Sequence, residues 1–342
     1  MPGSSPEARG RLIGRGFRIG WVLAGLLLAW ALAAPALAAA PEKVCVQLLW
    51  VHQAQFAGIY MAQDRGLYAA AGLEVKVEQG GPGVASLSRL NNQNCDFALA
   101  WLTAGIEARG KGQHLVNLAQ LVQRSGMLLV AHADSGIEKV ADLNHRRVAL
   151  WDSYFSLSTK AMLKKEGIKV EEVRQGVSMA LLLNRAVAAS SAMIYNEYHR
   201  LYQAGMNWDE MVVLSLAELG FNFPEDGIYA LETTWKNRPD TCRRFVQATL
   251  EGWRLALEQP DEALKSVMRR INQAKLASNQ SHQKWMLKNF VRLLVPDKKG
   301  APMGRLAVSD YDLVTRRLLE EGFVENCPGY DNFAMPAWKP AP

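Results

Sequence analysis

From about position 44 onward, short apolar runs alternate with stretches whose apolar residues recur every three to four positions. Residues 44–50 form one such run, with a β-branched start, and predict a strand. Over 57–71, Ile59, Met61, Ala62 and Leu67 keep helical spacing, and Gly72 ends the pattern as helix-stopping glycines do. Residues 73–78 alternate Leu and Val with charged side chains, the period of a strand with one exposed face. Gly80-Gly81-Pro82-Gly83 predicts the opening of a helix that runs to Leu90. Strands are predicted over 96–101, 116–122 and 127–131, with a helix over 103–110. The same grammar restarts after Ala141, with strands over 147–151, 169–173 and 192–195 and helices over 159–166, 179–189 and 197–203. After Pro239 the pattern is helical, over 240–258, 261–271, 282–294 and 309–321. Beyond Pro328 come three more prolines and little periodicity, which predicts a loose tail over 328–342.

Strands that alternate with helices predict an α/β protein with parallel sheets in doubly wound lobes. Two such units and a helical extension predict two lobes with a cleft between them. Ligands of doubly wound sheets sit beyond the carboxyl ends of the strands, so those positions are the ones to inspect.

The first forty residues follow a different rule. Arg9, Arg11, Arg15 and Arg18 precede an apolar run from Trp21 to Ala34, and Ala36-Leu37-Ala38 follows it. This is the pattern of a signal peptide over 1–38, cleaved near Ala38. Ala39 stands where a lipid-anchored bacterial precursor needs Cys. Residues 1–40 hold four arginines and one glutamate, so the formal charge without them drops from +6 to +3. No block of Lys and Arg with interleaved aromatics remains, and nucleic acid is not an expected partner.

The predicted strand ends are aromatic. Trp50 ends the first and is followed by His52, Gln55 and Phe56; Trp101 ends the third. In the second unit Trp151 is followed by Asp152, and Tyr195 by Asn196 and Glu197. Large rings on one rim can sandwich a flat ligand while Gln, Asn, Asp and Glu orient it. Glu197 would favour an amino group or ring cation. Gly81 and its neighbours can expose backbone N–H groups to an anion at a helix start, but no Gly-Lys-Ser/Thr follows, so this is not a Walker loop. His52 has no nucleophile motif to partner it, and His114, His132, His145, His199 and His282 read as surface residues. The four cysteines, Cys45, Cys95, Cys242 and Cys327, allow three disulfide connectivities. Their spacing matches no zinc site, so neither a metal nor a cofactor is expected.

Several of these segments together resemble a known family. They are Leu49-Trp50, the run Gln55 to Ala62, Gly66-Leu67-Tyr68, Gly72-Leu73-Glu74-Val75, Gly80-Gly81-Pro82 and Asp96-Phe97-Ala98. The segment Ile106 to Gly112, Asp134-Ser135-Gly136-Ile137 and Asp142-Leu143 continue the match. The chain resembles periplasmic solute-binding proteins of ABC importers, in the branch that includes thiamine-pyrimidine and alkanesulfonate binders. The resemblance covers about 44–229. It implies a hinged, two-lobed clamp of periplasmic binding protein type II, with 44–131 and 222–327 in lobe one and 132–221 in lobe two. It also implies a monomer in the periplasm that binds a small-molecule solute and docks on an ABC transporter permease. Trp50, Gln55, Phe56, Trp101, Trp151, Tyr195, Asn196 and Glu197 match positions where pyrimidine binders place stacking and polar groups. In that topology Cys45 and Cys95 start neighbouring strands and are expected to pair, leaving Cys242 with Cys327. The expected solute is a small aromatic or N-heterocyclic compound. The alternatives are an alkanesulfonate or other organic anion, which would need an Arg not found at the predicted strand ends, a pyrimidine-forming enzyme, and a sensor for a membrane signalling partner. Fungal enzymes of the superfamily use a histidine and a cysteine-rich iron site, and no cysteines cluster here.

Overall fold

The computed structural model describes residues 2–3, 40–91, 94–295, 303–337 and 339. The expected signal peptide thus lies, but for residues 2–3, outside the described residues. Among the described residues no helix is long and apolar enough to cross a membrane.

Two five-stranded sheets organise the chain from Pro41 onward. The first contains β1 (Glu42–Gln47), β2 (Leu73–Glu78), β3 (Phe97–Trp101), β4 (Leu115–Gln120) and β10 (Asp226–Leu231), in the order β2-β1-β3-β10-β4. The second contains β5 (Met127–His132), β6 (Arg147–Leu150), β7 (Glu171–Arg174), β8 (Ala189–Met193) and β9 (Met211–Ser215), in the order β7-β6-β8-β5-β9. This is the two-lobed fold expected from the sequence, with one difference. Both sheets are mixed rather than parallel: β10 runs antiparallel to β3 and β4, and β5 antiparallel to β8 and β9. The physical reason is the chain path. β5 is the strand that enters lobe two and β10 the strand that returns to lobe one, so each arrives from the opposite direction.

This path also moves a boundary. β5 belongs to the second sheet, so lobe one ends before Met127 rather than at 131, and the first crossing lies between β4 and β5. The second crossing lies between β9 and β10. The two connecting segments are tied to each other: Glu225 Oε1 accepts from Ser125 Oγ at 2.8 Å and from the Gly126 backbone N–H at 2.7 Å.

Local chemistry explains several element ends. Gly66, at φ 68°, splits the helix predicted over 57–71 into Ala57–Asp64 and Leu67–Ala70, because the left-handed residue cannot continue a right-handed helix. The long helix Pro239–Glu258 starts with proline, whose missing N–H costs nothing in the first turn. It packs on Ala57–Asp64 through glycines: a Cβ on Gly252 would lie 2.1 Å from Gly58 O, and one on Gly58 2.2 Å from the Trp253 ring. Phe245 of the same helix stacks on Phe97 of β3 with ring centroids 4.1 Å apart, so this helix packs on the first sheet.

The disulfide joins Cys45 and Cys95, as expected. Cys242 and Cys327 do not pair. Cys242 is buried in the first turn of Pro239–Glu258, beside the Glu42–Arg238–Asp96 ion cluster at the amino ends of β1 and β3. Cys327 follows the helix Val308–Glu320 and lies by Tyr311 instead. The tail is not loose in its described part. Phe333 and Ala337 are fully buried, and the Met335 N–H donates to Asn117 O of β4 at 2.8 Å. Apolar anchors between prolines hold the segment down without regular periodicity.

Candidate functional site

A cavity of about 320 Å³ lies between the lobes at the carboxyl ends of their strands. Lobe one supplies Leu49, Trp50, Gln53 and Gln55 from the turn after β1, Pro82 and Gly83 after β2, and Trp101 at the end of β3. Lobe two supplies Trp151, Asp152, Ser153 and Phe155 after β6. It adds Arg174 to Val177 at the end of β7, and Met193 with Tyr195, Asn196 and Glu197 from the end of β8. The volume falls in the ~300–1,000 Å³ range of small-molecule sites.

Rings from both lobes meet here. Phe155 sits at their centre, edge-on to Trp101 at 4.8 Å, to Trp50 at 6.2 Å and to Trp151 at 6.4 Å between centroids. Tyr154 lies against Phe155 at 4.3 Å, and its backbone O is 3.5 Å from Thr103 Oγ1 of lobe one. In each edge-on contact the edge of one ring meets the face of the other, so the contact itself covers only one side of that ring and leaves its opposite face for a flat molecule.

The polar groups form two hydrogen-bonded chains. On the lobe-one side Gln53 Nε2 donates to Gln55 Oε1 at 2.5 Å, and Gln55 Nε2 donates to Asp226 Oδ2 at 2.8 Å. Asp226 is buried at the start of β10, and burial pushes its carboxyl up to about 7 although Gln55 opposes this. The adjacent Glu225 is pushed up to about 8, chiefly by burial. The Trp101 side chain also lies close enough to Asp226 to hold its carboxyl down. On the lobe-two side Glu197 opens the helix Glu197–Gln203. Its Oε2 accepts from the Met193 N–H at 3.0 Å and its Oε1 from Asn196 Nδ2 at 2.7 Å. Burial raises the Glu197 carboxyl, while the backbone N–H groups of Met193 and Glu197 and the charge of Arg200 oppose that.

Of the eleven residues singled out from the sequence, the cleft brings together Trp50, Gln55, Trp101, Trp151, Asp152, Tyr195, Asn196 and Glu197. His52, Phe56 and Gly81 are not among its lining. His52 Nδ1 is 2.7 Å from Tyr60 Oη, and burial and nearby Arg270 hold its imidazole below the usual range. Phe56 is fully buried in the core of lobe one. Gly81 is not at a helix start, because the next helix begins only at Ser88. The glycine loop has a packing role instead: a Cβ on Gly80 would lie 2.3 Å from Leu48 O, so only glycine lets this loop lie against the turn that carries Trp50.

Sequence reasoning missed Arg174, which ends β7 and pairs with Asp152 at the rim. The strand was expected to stop at Val173, which kept its last residue out of view. Gln175 was missed too; its amide bonds the Ser191 backbone in both directions, at 2.7 and 3.0 Å, and so braces the middle of β8. His199 and His282, expected at the surface, are buried and bonded through their Nδ1 atoms at 2.9 Å.

Known proteins share this architecture. The riboflavin-binding protein RibY of Chloroflexus aurantiacus is 27% identical over 265 residues, 71% of either chain. The periplasmic aliphatic sulphonate binding protein SsuA from Escherichia coli has a TM-score of 0.68 at 15% identity, covering 88% of this chain and 93% of that one. The alkanesulfonate-binding protein SsuA from Xanthomonas axonopodis pv. citri, solved with MOPS bound, has a TM-score of 0.62 at 13% identity, over 84% and 95% of the two chains. These likenesses agree with the two mixed sheets in assigning the periplasmic binding protein fold. The NMT1/THI5 like family model matches residues 53–263, from the turn after β1 through both sheets into the C-terminal helices, and the chain belongs to that family.

Proposed function

We propose that the chain is a solute-binding protein of an ABC importer, working in the periplasm and capturing a flat, nitrogen-containing ring compound in the cleft. One observation carries this reading: Trp50 and Trp101 of lobe one and Trp151 and Phe155 of lobe two converge on a single cavity at the strand ends. A ligand gripped by both walls favours the closed arrangement because only there does it touch both. The closed form then docks on the permease. The riboflavin in RibY's name is a molecule of this chemical kind, and the cavity suits part or all of such a ring system. The role is capture and delivery rather than catalysis.

An organic-anion reading is favoured by one residue, Arg174. Its side chain is 84% exposed and already pairs with Asp152, so an anion would have to displace a carboxylate from a solvated rim. The heterocycle reading needs no such exchange. Tryptophan fluorescence titrations with riboflavin, an aminopyrimidine and an alkanesulfonate separate the two. The expected result is quenching by heterocycles alone, and saturable binding of the sulfonate alone overturns the reading.

A further inference from the structure

The helix Gln280–Leu294 contributes nothing to the cleft lining, yet two consecutive residues of its first turn hold a polar group on either side. Gln283 Oε1 accepts from the Ala54 N–H at 2.7 Å, between Gln53 and Gln55 of lobe one. His282 Nε2 lies 3.0 Å from Asn196 Oδ1 of lobe two. The helix end is itself fixed, since the Asn279 side chain caps it by accepting from the His282 N–H at 2.8 Å.

The direction of each bond follows from donor and acceptor counting. Asn196 donates its amide N–H to Glu197, so its Oδ1 faces His282 and can only accept. His282 therefore carries its proton on Nε2, and its Nδ1 accepts from the N–H of His199 Nδ1. Burial, with Arg200 and His199 nearby, lowers His282 to about 4, which keeps it neutral and keeps Nδ1 free to accept. Burial also lowers His199. A flipped Asn196 would set its amide oxygen against the Glu197 carboxylate oxygen, a repulsive contact.

We propose that His282 is a positioning residue that sets the hydrogen-bond polarity of the cleft. Through Asn196 it fixes Glu197 as an acceptor, so that this wall selects a solute presenting an N–H donor over an isostere presenting a lone pair. The proposal rests on the cleft being the solute site. The chain His199, His282, Asn196, Glu197 runs one way, donor to acceptor, toward the cavity. Glu197 keeps lone pairs beyond the two bonds it accepts. Without a donor at position 282, Asn196 loses the group that holds its orientation and can offer either end.

The test compares 4-amino-2-methylpyrimidine with its 4-oxo counterpart by calorimetry, on the wild type, His282→Leu and His282→Gln. The wild type is expected to prefer the amino compound by about tenfold or more, the order of a hydrogen bond to a charged group. His282→Leu should bring the two affinities within about threefold, and His282→Gln, which can still donate to Asn196, should restore the preference. An equal loss for both compounds with no rescue would mean a merely structural residue and overturns the proposal. Nitrogen NMR of the imidazoles decides the matter independently of any ligand. The wild-type protein should show His282 as the Nε2–H tautomer with a midpoint near 4, and the Nδ1–H tautomer overturns the proposal. If neither pyrimidine binds while the tautomer is as expected, the solute class is wrong and the positioning role stands.

Discussion

Glu225→Gln should flatten the pH dependence of stability above pH 6.5. Glu225 sits in the second connecting segment, 2% exposed, with one oxygen bonded to Ser125 and Gly126 of the first and the other without a partner. Burial raises it from 4.5 to about 8, and Asp226 beside it from 3.8 to about 7. A raised carboxyl keeps its proton in the folded chain and loses it in the unfolded one. Its stabilising contribution is therefore full below the unfolded value and disappears as pH rises through the folded value. At about 1.4 kcal/mol per pH unit, Glu225 accounts for a loss of about 2 kcal/mol between pH 6.5 and 8, and Asp226 for somewhat under 1. His52, His199 and His282 have lowered values and act with the opposite sign, but only below about 6.5, where the unfolded imidazoles gain protons. Glu42 and Asp64, held low by arginines, matter only at more acid pH. Urea unfolding at intervals from pH 6.5 to 8.5 measures the slope directly. The wild type should lose about 2–3 kcal/mol over this range and Glu225→Gln less than about 1. A wild type whose stability is flat or rises there, or a variant with the same slope, refutes the reasoning.

Peptide mapping without reduction should recover only the Cys45–Cys95 link, with Cys242 and Cys327 alkylated after denaturation; a Cys242–Cys327 peptide contradicts the structure. Cys45→Ser with Cys95→Ser should cost about 3–4 kcal/mol in urea melts, from the chain-entropy gain of opening a loop of some 50 residues. Gly252→Ala should destabilise by about 1–3 kcal/mol or more, because its Cβ would meet Gly58 O and Ala62 where the two helices touch. Unchanged melting of that variant would mean the helices lie farther apart.

Much of the cleft was legible from local pattern alone. Trp50, Trp101, Trp151 and Tyr195 stood where apolar runs gave way to polar loops, and the strand-end rule collected them without any contact information. What stayed hidden depends on the chain folding back. β9 and β10 are short apolar segments with no alternation, so nothing local marked them, and with them went three of the four antiparallel pairings. Phe56 and Trp50 read alike in sequence; only packing separates the ring that fills the core from the ring that faces the cavity. His282 looked like a surface residue because its partners, Asn196 and His199, lie more than 80 positions away. Cys242 and Cys327 looked like a pair because they flank the C-terminal helices, and their different neighbours remove that inference.

The most direct test is calorimetry of the best-bound heterocycle against the wild type and a Trp101→Ala/Trp151→Ala variant, which removes one ring from each wall. Base–aromatic stacking is worth about 1–3 kcal/mol per ring, so losing both should weaken binding by about 30-fold or more while the fold survives. Unchanged affinity in a folded variant would show that the solute is not held between the aromatic walls of the two lobes.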